Sequence, residues 1–219
     1  MLGVFLDRAS LDLDDLDFSQ LTATLPEWRY HDATAPGEVA DRIAEASIVV
    51  VNKVVLNRTL LTDAEHLKLV CVAATGTNNV DLEACRELGI PVCNITAYGT
   101  PAVAQHVMML ILVLITRFLD YQREVTGGKW QQADMFCLMD HPIRELSGKT
   151  LGIVGYGELG QAVAALARAF GMEVLLAQRP GGAPRADRLP LEALLPEIDV
   201  LTLHCPLTPE THHLIGERD

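Results

Sequence analysis

The sequence predicts an α/β fold of two doubly wound parallel-sheet domains, the second incomplete. Three observations carry that prediction. Short apolar or β-branched runs alternate with amphipathic helical stretches through residues 1–97. The alternation restarts near residue 150, after a stretch with no period. It restarts on a glycine turn, Gly155, Gly157 and Gly160 in the pattern G-x-G-x-x-G. Strands separated by helices pair in parallel through right-handed crossovers, which builds a doubly wound sheet.

The elements follow in order. LGVFL (2–6) is a short strand stopped at Asp7, and WRYHD (28–32) is a weaker one. PGEVADRIAEA (36–46) reads as a helix with proline at its start and Val39, Ile43 and Ala46 on one face. SIVVVN (47–52) is the β-branched run of a strand buried on both sides. TLLTDAEHL (59–67) reads as a helix and KLVCVAA (68–74) as a second buried strand. NNVDLEACRELG (78–89) is a helix with Asn79 as N-cap and Gly89 past its end, and IPVCN (90–94) is a short strand. Residues 101–125 are expected to form one long helix, apolar nearly all round up to Ile115 and so buried by other elements. Residues 126–150 read as a connecting arm. TLGIV is then a strand, and the following helix carries Leu159, Val163, Leu166 and Phe170 on one face. Gly171 closes that helix before the strand EVLLA. The domains are therefore 1–97 and 98–219. The acidic patch LDLDDLD (11–17) is expected to be a solvated helix or loop.

Composition narrows the function. Apolar residues are 49% and charged residues 21% of 219, the balance of a soluble globular protein. A net charge of −12 argues against nucleic acid and anionic membranes as partners. The start MLGVFLDRAS has no basic region and is not a signal peptide. The apolar run Val107–Ile115 falls short of the ~20 residues a spanning helix needs. Cys71, Cys85, Cys93, Cys137 and Cys205 form no CxxC pair, which fits reduced structural thiols in the cytoplasm. His204, Cys205, His212 and His213 match no zinc spacing, so no metal is assigned. No G-x-S-x-G accompanies Ser10, Ser19, Ser47 or Ser147. Met108 and Met109 are expected in the core rather than against a cofactor.

The glycine turn carries chemistry because it follows a strand and opens a helix. The first glycine allows the tight turn, the second lets a diphosphate approach the backbone, and the third lets helix and strand pack closely. The phosphates then meet free amides and the positive end of the helix dipole. At the end of the next strand, where an NAD site usually carries an acid, this sequence has Gln178 and then Arg179, with Arg185 and Arg188 nearby. An amide beside a guanidinium tolerates a 2′-phosphate that a carboxylate would repel, so the cofactor is NADP or NAD with a lean to NADPH.

Four stretches carry a resemblance: VCVAATGTNNVDLEACRELGIPVCN (70–94), YGTPAVAQHV (98–107), ELSGKTLGIVGYGELGQAVAALARAFGMEV (145–174) and DVLTLHCPLTPETHHLIG (199–216). On them the chain resembles the D-isomer-specific 2-hydroxyacid dehydrogenases over essentially its whole length. VVVNKVVLN, CVAATGTNNVD and CNITAYGTPAVAQH are most similar to the glycerate dehydrogenase (hydroxypyruvate reductase) branch.

The resemblance implies a flavodoxin-like substrate domain followed by a Rossmann cofactor domain. It implies that the loop Ala74-Thr75-Gly76-Thr77 presents amides to a substrate carboxylate, with Asn52 and Lys53 on the same edge. Lys53 would add a cation there or be an ordinary solvated lysine. Cofactor contacts are implied for Val107, with Val103 beside it, and for Gly155, Tyr156, Gly157, Glu158, Leu159, Gly160, Gln178 and Arg179. His204, Cys205, Pro206 and Thr208 would meet the adenosine half. The activity implied is NAD(P)-dependent interconversion of hydroxypyruvate or glyoxylate with D-glycerate or glycolate, by a homodimer. In that family a catalytic Arg, Glu and His come after the LTPET segment. No position here matches their motifs, so no catalytic residue is assigned, His204, His212 and His213 included. The expectation is a fragment of an enzyme of about 300 residues. A dinucleotide-sensing interaction protein, or a fragment that only binds cofactor, is the alternative.

Overall fold

Parallel pairing decides how the elements assemble. A computed structural model describes residues 1–11 and 15–216, in two compact units, Met1–Tyr98 and Gly99–Asp219. In the first, the order is β1 (Leu2–Phe5), α1 (Ser19–Thr22), β2 (Glu27–Tyr30), α2 (Val39–Ile43) and β3 (Ile48–Val51). α3 (Arg58–Asp63), β4 (Leu69–Val72), α4 (Leu82–Glu87) and β5 (Val92–Asn94) follow. All pairs are parallel, in the order β2-β1-β3-β4-β5, so the winding reverses between β1 and β3. Register places Val4 beside Val49 and Val49 beside Val70, and all three are fully buried. Burying a valine from water is worth roughly 1.5–3 kcal/mol, which is why the β-branched runs sit in the middle of the sheet.

The second unit contains α5 (Thr100–Ile115), α6 (Phe118–Thr126), α7 (Lys129–Gln132), β6 (Thr150–Val154) and α8 (Glu158–Ala169). β7 (Glu173–Leu176), α9 (Leu191–Leu194) and β8 (Val200–Leu203) complete it. Its strands are parallel in the order β7-β6-β8, and a single parallel bridge joins Ala177 to Leu189 beyond β7. With Leu189 as the third strand, the order is 3-2-1-4, the first part of the dinucleotide-binding topology. α8 buries Gly160, Val163, Ala164 and Ala167 against this sheet and α5.

Five expectations need correction. The helix expected over 101–125 is two helices, α5 and α6, bent by 65°. Thr116 Oγ1 turns back to donate to the Leu112 carbonyl at 2.6 Å, and Arg117 takes a left-handed φ of 55°, which ends the first helix. α5 is also not buried all round: Ala104, Met108 and Ile111 face the core, while Met109, Leu110 and Leu114 are exposed. Met109 is therefore not a core residue. On α8 the buried face is the small-residue one, so Leu166 and Phe170, expected inward, are partly exposed. The N-cap of α4 is Asp81, which accepts the Ala84 N–H at 2.8 Å, because the helix starts at Leu82 and not near Asn79. Of the acidic patch, residues 12–14 lie outside the described residues, and Asp15–Asp17 are exposed and outside helix and strand. Among the described residues no single helix is long and apolar enough to cross a membrane.

Candidate functional site

Two sheet edges collect the residues singled out above, one in each unit. In the first unit β3 and β4 are neighbours, with Val51 beside Val72, so the loops that follow them leave the same edge side by side. Ala73 N–H donates to Val51 O at 2.8 Å and keeps the two chains together past the strand ends. The loop 74–77 is then held from beyond by β5: Asn94 Nδ2 donates to Thr75 O at 2.8 Å and Ile95 N–H to Ala74 O at 3.1 Å. Those bonds occupy carbonyls. Among the described residues no protein acceptor takes the N–H groups of Thr75, Gly76 or Thr77, and Thr75 and Gly76 are exposed. Consecutive free amides make a concavity suited to an anion such as a carboxylate.

Asn52 and Lys53 lie at this edge as expected, but in different ways. Lys53 is exposed. Asn52 is 6% exposed, and its side-chain amide donates to Ser10 Oγ at 2.9 Å, so that amide is already engaged.

In the second unit the turn after β6 is built around its glycines. Gly155 has φ +92°, and a Cβ there would come within 2.5 Å of the Cys205 nitrogen. A Cβ on Gly160 would come within 2.2 Å of the Gly155 carbonyl oxygen. A Cβ on Gly157 would meet nothing within 4 Å. Two of the glycines are thus required by the protein's own packing, and the middle one faces open space. Gly157 is the N-cap of α8 and supplies no side chain to its first amides, which belong to Glu158, Leu159 and Gly160. Gln161 N–H donates to Gly157 O at 2.9 Å, closing the first turn. An open cradle over helix N-terminal amides that no described residue accepts fits a dinucleotide's diphosphate.

The neighbours of this mouth are fixed by the same unit. Tyr156 and Val107 are half-buried against the α5–α8 core. Thr100 Oγ1 donates to Glu158 Oε1 at 2.7 Å, tying the start of α5 to the start of α8. His204 N–H donates to Val154 O at 2.7 Å, which carries β8 alongside the glycine turn. Its ring Nε2 lies 3.0 Å from Thr202 Oγ1, and burial pushes its pKa down, so the ring is neutral near pH 7. Cys205 packs against the core formed by Val154, Ala177 and Leu194, and Pro206 is exposed. Thr208 N–H donates to Thr211 Oγ1, which in turn donates to Pro206 O, both at 2.7 Å, so the segment closes on itself.

At the end of β7, Gln178 does something that spacing does not reveal. Its Nε2 donates to the carbonyls of Arg185 and Arg188 at 2.8 and 3.1 Å, and its Oε1 accepts the Arg185 N–H at 3.1 Å. It is the brace of the 178–188 loop. Arg185 is paired with Asp187 at 3.0 Å. Arg179 is exposed and in no ion pair among the described residues. Arg188 Nε is buried with no partner among the described residues.

Sequence reasoning missed Asp7, noted only as a strand stop, and Thr100. An acid directly after an apolar strand was the available signal for the first. No group of three or more metal-ligating side chains is found among the described residues. All five cysteines are free, and burial pushes the thiols of Cys71 and Cys85 up, so neither is an activated nucleophile.

Residues 108–219 match the family model described as D-isomer specific 2-hydroxyacid dehydrogenase, NAD binding domain. The chain is 40% identical over 215 residues to the glycerate dehydrogenase of Methylorubrum extorquens, covering 97% of this chain and 66% of that protein. It is 38% identical over 223 residues to the hydroxypyruvate reductase of Blautia hydrogenotrophica, covering 99% and 69%. Among solved structures, the D-lactate dehydrogenase of Aquifex aeolicus, complexed with NAD and lactic acid, superposes with a TM-score of 0.83. It is 29% identical, and the match covers 100% of this chain and 64% of that one. The chain spans about two thirds of the length of these curated relatives. On the family model and these identities, the chain belongs to the D-isomer specific 2-hydroxyacid dehydrogenases.

Proposed function

We propose that the chain is part of a nicotinamide-dependent oxidoreductase that interconverts a small 2-keto acid and a D-2-hydroxy acid. Hydroxypyruvate or glyoxylate is the keto acid, and D-glycerate or glycolate the product. The observation that carries this reading is the open space over Gly157 between two glycines that packing forbids from carrying a side chain. The amides of Glu158, Leu159 and Gly160 hold the diphosphate, and Tyr156, Val107, His204, Cys205, Pro206 and Thr208 border it. A bound nicotinamide dinucleotide supplies hydride chemistry at its ring. The free amides of Thr75, Gly76 and Thr77 take the substrate carboxylate, with Lys53 adding charge at the same edge. The relatives' names, glycerate dehydrogenase and hydroxypyruvate reductase, point to the same substrates.

NADPH is the preferred dinucleotide on this reading. Gln178 shapes the 178–188 loop and puts no carboxylate where a 2′-phosphate would lie, and Arg179 is an exposed cation beside it. The protein acts as a homodimer in the cytoplasm. The exposed apolar side of α5, with Met109, Leu110 and Leu114, is the face that a second copy covers. It borders a groove of about 1000 Å³ lined by Leu112, Phe118, Leu166 and Phe170.

The test is oxidation of NADPH and NADH by the full-length protein with hydroxypyruvate and glyoxylate. Turnover is expected with both acids, and Arg179→Ala is expected to lower kcat/KM for NADPH about tenfold while sparing NADH. Dinucleotide binding without turnover on any 2-keto acid would favour a sensing protein instead.

A further inference from the structure

The edge of the first sheet holds a buried carboxylate that none of these roles uses. Asp7 follows β1 and is 5% exposed. Its Oδ1 accepts the Asn52 N–H at 2.9 Å, and its Oδ2 accepts those of Lys53 at 2.5 Å and Val54 at 3.0 Å. From the other side Asn79 Nδ2 donates to the carbonyls of Asn52 and Val54, at 3.4 and 3.0 Å. Ser10 Oγ donates to the Asp7 carbonyl at 2.6 Å and accepts from Asn52 Nδ2. Leu56 N–H donates to Asn79 O at 2.8 Å, and Asp81 N–H to Leu56 O at 2.9 Å. The segment is thereby zipped to the stretch that continues the 74–77 loop.

A segment held at three N–H groups and two carbonyls has one path. Asn52 and Leu56 are buried, Val54 packs on the core, and Lys53 and Val55 stand outward, Val55 at 60% exposure. A buried carboxylate is costly unless charge-assisted bonds offset its lost hydration, and the three amides do so here. The outcome is a rigid placement of two outward side chains on the segment that leaves the same sheet edge as the loop with the free amides.

We propose that Asp7 is a positioning residue for substrate selection. By gathering three N–H groups it fixes where Lys53 and Val55 stand beside the 74–77 loop. That placement decides which substituent on C2 of a 2-keto acid the edge admits. The role rests on the reading of 74–77 as the loop that takes the substrate carboxylate.

Asp7→Asn keeps the side-chain shape but turns an N–H toward an N–H on one side. In the full-length protein it is expected to raise KM for hydroxypyruvate about tenfold, with kcat and NADPH affinity moving less than about threefold. The ratio of kcat/KM for hydroxypyruvate to that for glyoxylate, which lacks the CH2OH group, is expected to fall by a similar factor. Asn79→Ala frees the same segment from the other side, is expected to shift both quantities in the same direction, and decides the matter if Asp7→Asn does not fold. Unmoved KM and substrate ratio in a folded variant overturn the role of Asp7 and leave the dehydrogenase reading standing. A uniform fall in kcat, substrate affinity and NADPH affinity marks a general structural residue and also overturns it. Wild-type protein with no turnover on any 2-keto acid overturns the dehydrogenase reading itself, and this role with it.

Discussion

Gly157 and Gly160 stand three residues apart and answer to opposite constraints. Gly160 lacks a side chain because a Cβ would meet the Gly155 carbonyl oxygen at 2.2 Å, a contact that neither backbone can relieve. Gly160→Ala is expected to lower folding stability by more than about 2 kcal/mol, read as a lower urea midpoint. An unchanged midpoint would contradict the packing described for the turn. The spacing of the three glycines was legible in the sequence because each sits at a fixed step from strand to helix. The role of each glycine was legible with it, but not the atoms that crowd Gly155, since those depend on β8 bringing His204 and Cys205 alongside. Gln178 illustrates the same limit. Its position after β7 could be counted, but its hydrogen bonds to residues 185 and 188 depend on the path of a loop that has no period.

At the scale of elements, β6 and β8 are joined by more than their ladder. Asp199, just before β8, accepts the Thr150 N–H at 2.9 Å and Lys149 Nζ at 3.0 Å. The amide first and the lysine second hold its carboxyl below the usual carboxylate range. A pKa depressed by folding contributes stability above the unfolded carboxylate value and loses it as pH falls through the folded one. Asp199→Asn is therefore expected to flatten the loss of stability from neutral pH down to about pH 3, in urea midpoints measured across that range. An acid limb identical to wild type would remove the assigned bond. Strands were readable because β-branched runs name their own buried faces, and α8 was readable as a helix, but its buried face was not: the small residues Gly160, Ala164 and Ala167 pack inward while Leu166 and Phe170 do not. α5 was not readable in that way. A helix apolar on every side carries no directional signal, so its break at Thr116 and its exposed Met109 and Leu114 emerge only from packing.

Across the whole molecule, two parallel sheets each present loops at the carboxyl ends of their strands, where doubly wound folds bind ligands. The first sheet offers the amides at 75–77, which no described residue accepts, on the same edge as the 52–54 segment that Asp7 and Asn79 brace, and the second offers the cradle over Gly157. Alternation of strand and helix made both sheets legible. The strand orders needed the pairing itself, and the single bridge at Leu189 that supplies a third strand is too short to leave a pattern. The central claim is that the amides at the start of α8 hold a diphosphate. It is tested most directly by titrating full-length wild type and Gly157→Ala with NADPH, followed by nicotinamide fluorescence. Saturable binding by wild type is predicted, with affinity at least about tenfold lower in Gly157→Ala and the same unfolding midpoint in both, because the added methyl takes space left for the ligand and touches nothing else. Equal affinity in the two proteins would contradict the claim.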